Sequence, residues 1–413
     1  MKKLNYILLL LMVSSFMTFS CKDDPLPSPD DQADKDKITT LKVNYFIRDV
    51  MDAVYLWYNY MPNLDPRNEP DSKEYFEKLL YEEDKWSFIT DDAQSLTDSF
   101  EGIETSFGYS LVFGTFSNSD GVFAVVEYVY PDTPADEAGV MRGDIILSID
   151  GKDITEDNYT DLLYAPSLNI GFGIYTGNSI SSSDKTVQMT AKKLNLDPVM
   201  ITDILEHEGK KIGYLFYAQY IGNYNNKLNQ AFSYFKDEGI TDLILDLRYN
   251  PGGGIDAAVH LCSLIAPANV INNEEILITF NYNDKIQKEY EQENAMEELI
   301  VRFDEDVPVN LDMNKVYILT GPGTASASEL TITGLKPYMN VVTVGETTFG
   351  KYTASNTITP DMVYDNESDY EDFATWALQP IIARFANAEN VTDFRDGFAP
   401  DIPVDDDVFE GIP

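Results

Sequence analysis

A serine at a helix start, a lysine after an apolar strand and a run of glycines could together perform acyl transfer. In this chain they are Ser326 in "GPGTASASEL", Lys351 in "VGETTFGK", and Gly252 to Gly254 in "NPGGG". Ser326 opens a helical pattern, where free N–H groups and the helix dipole favour developing negative charge. The glycines free the backbone to aim N–H groups at an anion. Lys351 is the one strong proton acceptor in the three loops once it is deprotonated. A lysine, with an ordinary pKa of about 10.4, becomes a base near neutrality only where burial lowers it. The preceding stretch "VVTVGETTFG" is apolar enough on one side to allow that. Nucleophile, base and oxyanion hole are then all available. Ser326-x-x-Glu329 also fits a capping box, so the serine is equally well placed to cap its helix.

Other chemistries find little support. His260 lies in the apolar run "AVHLCSLI" and reads as a packed helix residue, and His207 in "LEHEGKK" as part of a solvated turn. No spacing suggests a Ser-His-Asp arrangement, and no His/Cys cluster suggests zinc. Ser182-x-x-Lys185 has a penicillin-binding spacing but sits alone in the polar loop "TGNSISSSDKT". No metal or cofactor is expected. The 70 acidic against 29 basic residues, a formal charge of −41, argue against nucleic acid as a partner.

The elements that must position these residues alternate in type. From Thr39 to about Tyr60, Phe46, Val50, Ala53 and Trp57 share one helical face, and "SKEYFEKLLYEED" reads as a second helix before "KWSFIT" turns toward a strand. From about Phe107 the period becomes two, in "FGYSLVFG" and "GVFAVVEYVY". Then "PDTPADEAGVMRGDIILSIDG" gives a proline turn, a short helix ended by Gly139, a strand and an Asp-Gly turn. This region resembles a PDZ domain of the bacterial protease type. That resemblance implies that Phe107, Gly108 and Tyr109 capture a peptide's terminal carboxylate while the peptide adds as an edge strand. From about Pro198 strands and helices alternate: "KKIGYLFYAQY", "ITDLILDLR", "KVYILTG" and "NVVTVGE" are strands, and "YNNKLNQAFSYFKDEG" and "IDAAVHLCSLIA" are helices. Such alternation implies a partly parallel sheet with sites at the strands' C-terminal ends.

The N-terminus "MKKLNYILLLLMVSSFMTFSC" has two lysines, an apolar run too short to span a bilayer, and Cys21. It reads as a secretory signal, and Cys21 resembles a bacterial lipoprotein acylation site. "KDDPLPSPDDQADKDK" reads as a flexible tether. The expected layout is signal peptide 1–20, lipidated cysteine and tether 21–38, helical domain 39–101, PDZ-like domain 102–195, and catalytic core 196–413. The expected location is the cell envelope, with the lipid anchor as the one membrane contact and the folded part facing periplasm or cell surface.

"DLRYNPGGG", "GTASASE" and "VGETTFGK", in that order behind a helical start and a PDZ-like domain, resemble the carboxyl-terminal processing (tail-specific) serine protease family. The resemblance runs from about Thr39 to the end and includes "FAPDIPV". It implies a mixed α/β protease core with helices, plus an N-terminal helical segment and an inserted β-rich PDZ-like domain. By resemblance Ser326, the first serine of "SASE", is the nucleophile, Lys351 the base, and Gly253 and Ala327 N–H the oxyanion hole. Ser328 becomes a neighbour. The family often has a glutamine four residues after the lysine, to orient it. Here Ser355 stands there, a shorter possible support, with Glu329 as another. Where the family often has aspartate eleven residues after the nucleophile, Pro337 suggests an early helix end. The expected substrates are proteins or peptides with accessible C-termini. The alternative is an inactive relative that acts as a peptide-binding or scaffold lipoprotein.

Overall fold

The computed structural model describes residues 32–409 except 118 and 178. The expected signal peptide, Cys21 and the first part of the tether lie outside the described residues. Among the described residues no helix is long and apolar enough to cross a membrane.

The chain from Val199 onward is built on a six-stranded sheet. In spatial order its strands are Val199–His207, Lys210–Tyr217, Asp242–Asp246, Lys315–Thr320, Asn340–Gly345 and Ile402–Pro403. The first pair is an antiparallel hairpin and every later pairing is parallel. Helices Ile255–Ile265 and Ala327–Leu335 contribute to its hydrophobic core, together with Leu243, Leu245, Val316 and Ile318. The loops expected to carry the chemistry leave the C-terminal ends of three adjacent strands, Asp242–Asp246, Lys315–Thr320 and Asn340–Gly345. Neighbouring parallel strands end together on one edge of the sheet, so their loops must meet.

A second sheet runs Ile300–Arg302, Ile276–Tyr282, Ile381–Asn387 and Thr353–Ser355. Its strand Thr353–Ser355 begins two residues beyond Lys351 and fixes that loop's exit. The N-terminal helices lie against it: Phe46, Ile47, Tyr55, Tyr75 and Phe76 share one buried cluster with Leu378, Ile381 and Ala383. The short strand Phe88–Thr90 pairs with Ala377–Gln379, which sews this unit to the core.

The first helix runs Gln32–Val54, so it starts inside the segment read as tether. After Pro29, "DQADKDK" has no proline or glycine to stop it. It also ends before Tyr60, and Trp57 is buried beyond its last turn. The helix Ala93–Phe100, capped by the Asp92 side chain on Ser95 N–H (3.0 Å), was not legible.

The PDZ-like unit has its own core and a sheet in the order Tyr109–Thr115, Val122–Val129, Ile145–Ile149, Ser167–Tyr175, Ile180–Thr190. Tyr109–Thr115 is the edge strand. Phe107 is buried and its ring stacks on Tyr109 at 5.9 Å. Gly108 has φ +82°, and a Cβ there would lie 2.4 Å from the Thr133 side chain, which caps the helix Pro134–Glu137.

An aromatic joint links this unit to the core through Tyr128, Tyr130, Tyr214 and Phe216. Beside it Arg142 Nη1 donates to Glu127 O (2.7 Å) and Tyr249 Oη (2.5 Å), and Nη2 donates to Asp406 Oδ1 (3.2 Å). Tyr249 donates its hydroxyl to Asp406, and Arg248 bridges Asp406 (2.5 Å) and the buried Asp246 (2.6 Å). These arginines and the tyrosine immediately precede or face the glycine loop. Beyond them Phe409 stacks on Tyr175 of the PDZ-like unit at 5.2 Å.

Candidate active site

Ser326 stands between the Lys315–Thr320 strand and the Ala327–Leu335 helix, with φ +55° and ψ −110°. A non-glycine residue there carries about 1–3 kcal/mol of strain, so the surroundings must hold it. They do so by stapling its turn to the glycine loop. Ala325 N–H donates to Asn250 O (3.1 Å), Ser328 Oγ to the same carbonyl (3.0 Å), and Thr324 Oγ1 to Leu247 O (2.7 Å). Ser328 is fully buried and spent on this staple, whereas Ser326 is partly exposed. The helix ends at Leu335, two residues before Pro337, although Lys336 between them keeps helical dihedrals (φ −52°, ψ −37°).

Glu329 ties Ser326 and Lys351 together. Its carboxylate is fully buried. One oxygen accepts from Thr348 Oγ1 (2.6 Å) and Gly350 N–H (2.7 Å), the other from Ser326 N–H (3.0 Å) and Lys351 N–H (2.8 Å). The bond to Ser326 N–H is the glutamate's half of a capping box. The two bonds to the Gly350–Lys351 backbone extend that cap to the neighbouring loop. Because Ser326 and Lys351 donate to the same oxygen, their main chains lie side by side. Burial holds the Glu329 carboxyl above the usual range, and the four donors offset that only in part. Those donors need an acceptor at both oxygens, which an ionised carboxylate supplies.

Lys351 is held below the ordinary lysine value by burial, against the opposing charges of Asp84 and then Glu329. Among the described residues its amine forms no ion pair or hydrogen bond, so desolvation is not offset by a direct partner. Gly350 (φ +96°) makes the turn possible: a Cβ there would lie 2.2 Å from Arg395 O.

The glycine loop is arranged by strain and close approach. Gly252 (φ +101°) lies against the Ser326 turn, where a Cβ would sit 2.8 Å from Ala325 O, Ala327 N and Ser326 Cβ. Gly252 N–H donates to Asn250 Oδ1 (2.9 Å) and Gly254 N–H to Tyr220 O (2.8 Å). Among the described residues the N–H groups of Gly253 and Ala327 have no protein acceptor. These two are the donors expected of an oxyanion hole: Ala327 follows Ser326 in sequence, and Gly253 follows Gly252, which packs against the Ser326 turn.

Ser355 lies at the end of the Thr353–Ser355 strand. Its hydroxyl accepts from Gln379 Nε2 (3.0 Å), while Gln379 Oε1 accepts from Thr357 (2.6 Å). Among the described residues no hydrogen bond joins Ser355 to Lys351. His260 binds Asn229 (2.8 Å), far from this chemistry in role, and His207 is exposed beside a turn with Glu208 and Gly209 at positive φ.

Sequence reasoning missed Thr348, Asp84 and Gln379. Thr348 stood in the quoted "TTFGK" but nothing distinguished it from Thr347. Asp84 lies in "YEEDKW" among other acids, and only the fold brings it to the base.

Residues 211–404 match the family model "Peptidase family S41", 42–88 match "Peptidase S41 N-terminal domain", and 125–167 match "PDZ domain". Among curated proteins the chain is similar to a chloroplastic C-terminal processing peptidase of Tetradesmus obliquus, 25% identical over 306 residues, covering 71% of this chain and 59% of that protein. It is also similar to a carboxyl-terminal-processing protease of a Picosynechococcus species, 28% identical over 223 residues, covering 54% and 49%. The match thus spans about half to three-fifths of these relatives' lengths. Among solved structures, a Bacteroides fragilis protein described as an S41 protease superposes with TM-score 0.67 at 27% identity, covering 93% of this chain and 92% of that one. The photosystem II D1 C-terminal processing protease gives 0.54 at 20% identity, covering 88% and 92%, a likeness of fold.

Proposed function

This chain belongs to peptidase family S41, and on that footing we propose that it is a serine endopeptidase acting on proteins recognised near their C-terminus. One observation carries the mechanism: a single buried carboxylate, Glu329, binds the backbone N–H of both Ser326 and Lys351. Lys351 Nζ takes the Ser326 Oγ proton as Oγ bonds to the substrate carbonyl carbon, and the carbonyl π electrons move to its oxygen. The N–H groups of Gly253 and Ala327 receive that oxyanion. The C–N bond then breaks, with the proton passing from Lys351 to the departing amine. Water attacks the resulting ester, Lys351 takes its proton, and Ser326 is released.

Substrate selection falls to the PDZ-like unit. The edge strand Tyr109–Thr115 offers its free side to an extended peptide, and the turn at Phe107, Gly108 and Tyr109 meets the terminal carboxylate. The full chain is expected to cleave an unstructured protein about ten times faster with a free C-terminal carboxylate than with an amidated one. Intact-mass analysis of the reaction should show an acyl adduct on Ser326. Equal rates on both substrates remove the C-terminal part of the proposal, and absence of cleavage under all conditions removes the peptidase itself.

The lysine-flanked apolar N-terminus and Cys21 support lipid anchoring in the cell envelope. Expressed in a bacterial host, the chain is expected in the membrane fraction, and Cys21→Ala is expected to release it. An unchanged distribution would sink the anchor.

A further inference from the structure

The catalytic base is walled on one side by a segment that belongs to neither of the catalytic sheets. Residues 83–90 come from the N-terminal unit and are fastened to both sides of Lys351. Glu83 forms an ion pair with Arg395, whose guanidinium lies 5.9 Å over the Tyr352 ring. Trp86 meets the same Tyr352 edge-on at 6.2 Å. Ser87 Oγ accepts from Ile381 N–H (2.8 Å), and Ile381 is the strand partner of Ser355. Phe88 pairs with Gln379, whose amide binds Ser355.

Asp84 sits in the middle of this wall, and its orientation is fixed. One carboxylate oxygen accepts from Trp86 and Ser87 N–H (both 3.0 Å), and the other from Tyr55 Oη (2.7 Å). Tyr55 is fully buried, and its hydroxyl in turn accepts from Tyr81 N–H (3.1 Å). A carboxylate carrying only neutral donors keeps its negative charge uncompensated. Two nearby cations do not serve it: Lys85, next to it in sequence, is exposed, and Arg395 is paired with its other neighbour, Glu83.

We propose that Asp84 is a positioning residue for the base: held in the wall beside Lys351, its fixed carboxylate stabilises the ammonium that Lys351 becomes on taking the Ser326 proton. The inference rests on the assignment of Lys351 as base. The charged groups acting on Lys351 are Asp84 and Glu329, and Glu329 already has both oxygens engaged by four donors. Asp84 is therefore the carboxylate left to answer the new positive charge, through its field and without a direct hydrogen bond.

The test is direct titration of Lys351 in the full chain, with the Ser326→Ala background preventing turnover. Lys351 acylation by an amine-selective reagent is followed against pH by peptide mass spectrometry. Asp84→Asn keeps an oxygen for the Trp86 and Ser87 N–H groups but loses the charge. It is expected to move the Lys351 midpoint down by about one pH unit. In the Ser326-containing enzyme the acid limb of kcat/KM should move down with it, while the plateau falls about tenfold. Tyr55→Phe, which keeps the charge but frees its orientation, should lower the plateau and leave a folded protein by urea titration. An unmoved midpoint in Asp84→Asn, or a lower plateau with an unmoved limb, overturns the proposal. Undiminished cleavage by Lys351→Ala overturns the base assignment beneath it, so the two failures are told apart.

Discussion

Ser326→Ala and Lys351→Ala are each expected to reduce cleavage of an unstructured protein by about four to six orders of magnitude. The double variant should be no worse than either single one. Nucleophile and base act as one unit: without Oγ there is nothing for Lys351 to deprotonate, and without Nζ the hydroxyl stays weakly nucleophilic. What remains should be slow hydrolysis at the two free N–H groups of Gly253 and Ala327. Neither substitution should unfold the chain: losing the Ser326 Oγ half of the capping box costs about 1 kcal/mol, and Lys351 Nζ forms no ion pair or hydrogen bond among the described residues. Stopped-time gel assays with unfolding curves for each variant check this. Full activity in either single variant would falsify the dyad.

Glu329→Ala should damage both stability and chemistry. It leaves Thr348 Oγ1 and the N–H groups of Ser326, Gly350 and Lys351 without their shared acceptor in a buried site. Each such loss costs about 1–3 kcal/mol, less whatever water recovers by entering the cavity, so about 4 kcal/mol is expected in all. The strained Ser326 turn and the Lys351 loop also lose their common anchor, and cleavage should fall at least about a thousandfold. Glu329→Gln separates the two effects. Its amide oxygen can face Ser326 and Lys351 N–H while its NH₂ faces Thr348 and Gly350. The threonine hydroxyl can rotate to accept, but Gly350 N–H cannot. A loss of about 2 kcal/mol with partial activity is then expected. Urea unfolding followed by tryptophan fluorescence, beside the cleavage assay, reads both. Wild-type stability in Glu329→Ala would show that the four bonds do not cooperate as described.

Ser326, Lys351 and Gly253 stood out because each chemistry needs a rare local device: a helix start, an apolar approach, a glycine break. Three parallel strands were also legible, since "DLILD" and "KVYIL" are buried runs between turn signals. The second sheet was not. Its central strand "IIARFAN" is buried on both faces and so lacks alternation, and Ile276–Tyr282 loses its pattern at a bulge. Glu329 was legible as a cap but not as a clamp, because three of its four donors lie in another loop. Asp84 was invisible for the same reason, more severely: its relation to Lys351 exists only once the N-terminal unit packs on the second sheet. Ser355 shows the converse. Its place in the motif suggested lysine support, and the fold gives its hydroxyl to Gln379.

The last stretch of chain described above has a consequence in time. Gly350 turns under Arg395, Phe398 N–H binds Thr348 Oγ1 (2.7 Å), Ile402–Pro403 completes the catalytic sheet, and Asp406 joins Arg142 to Arg248. The Glu83–Arg395 pair alone spans 312 positions. Synthesis proceeds from the N-terminus, so residues 83–90 emerge long before the brace at 395–406. The Lys351 loop therefore lacks its complete support until that brace has been made.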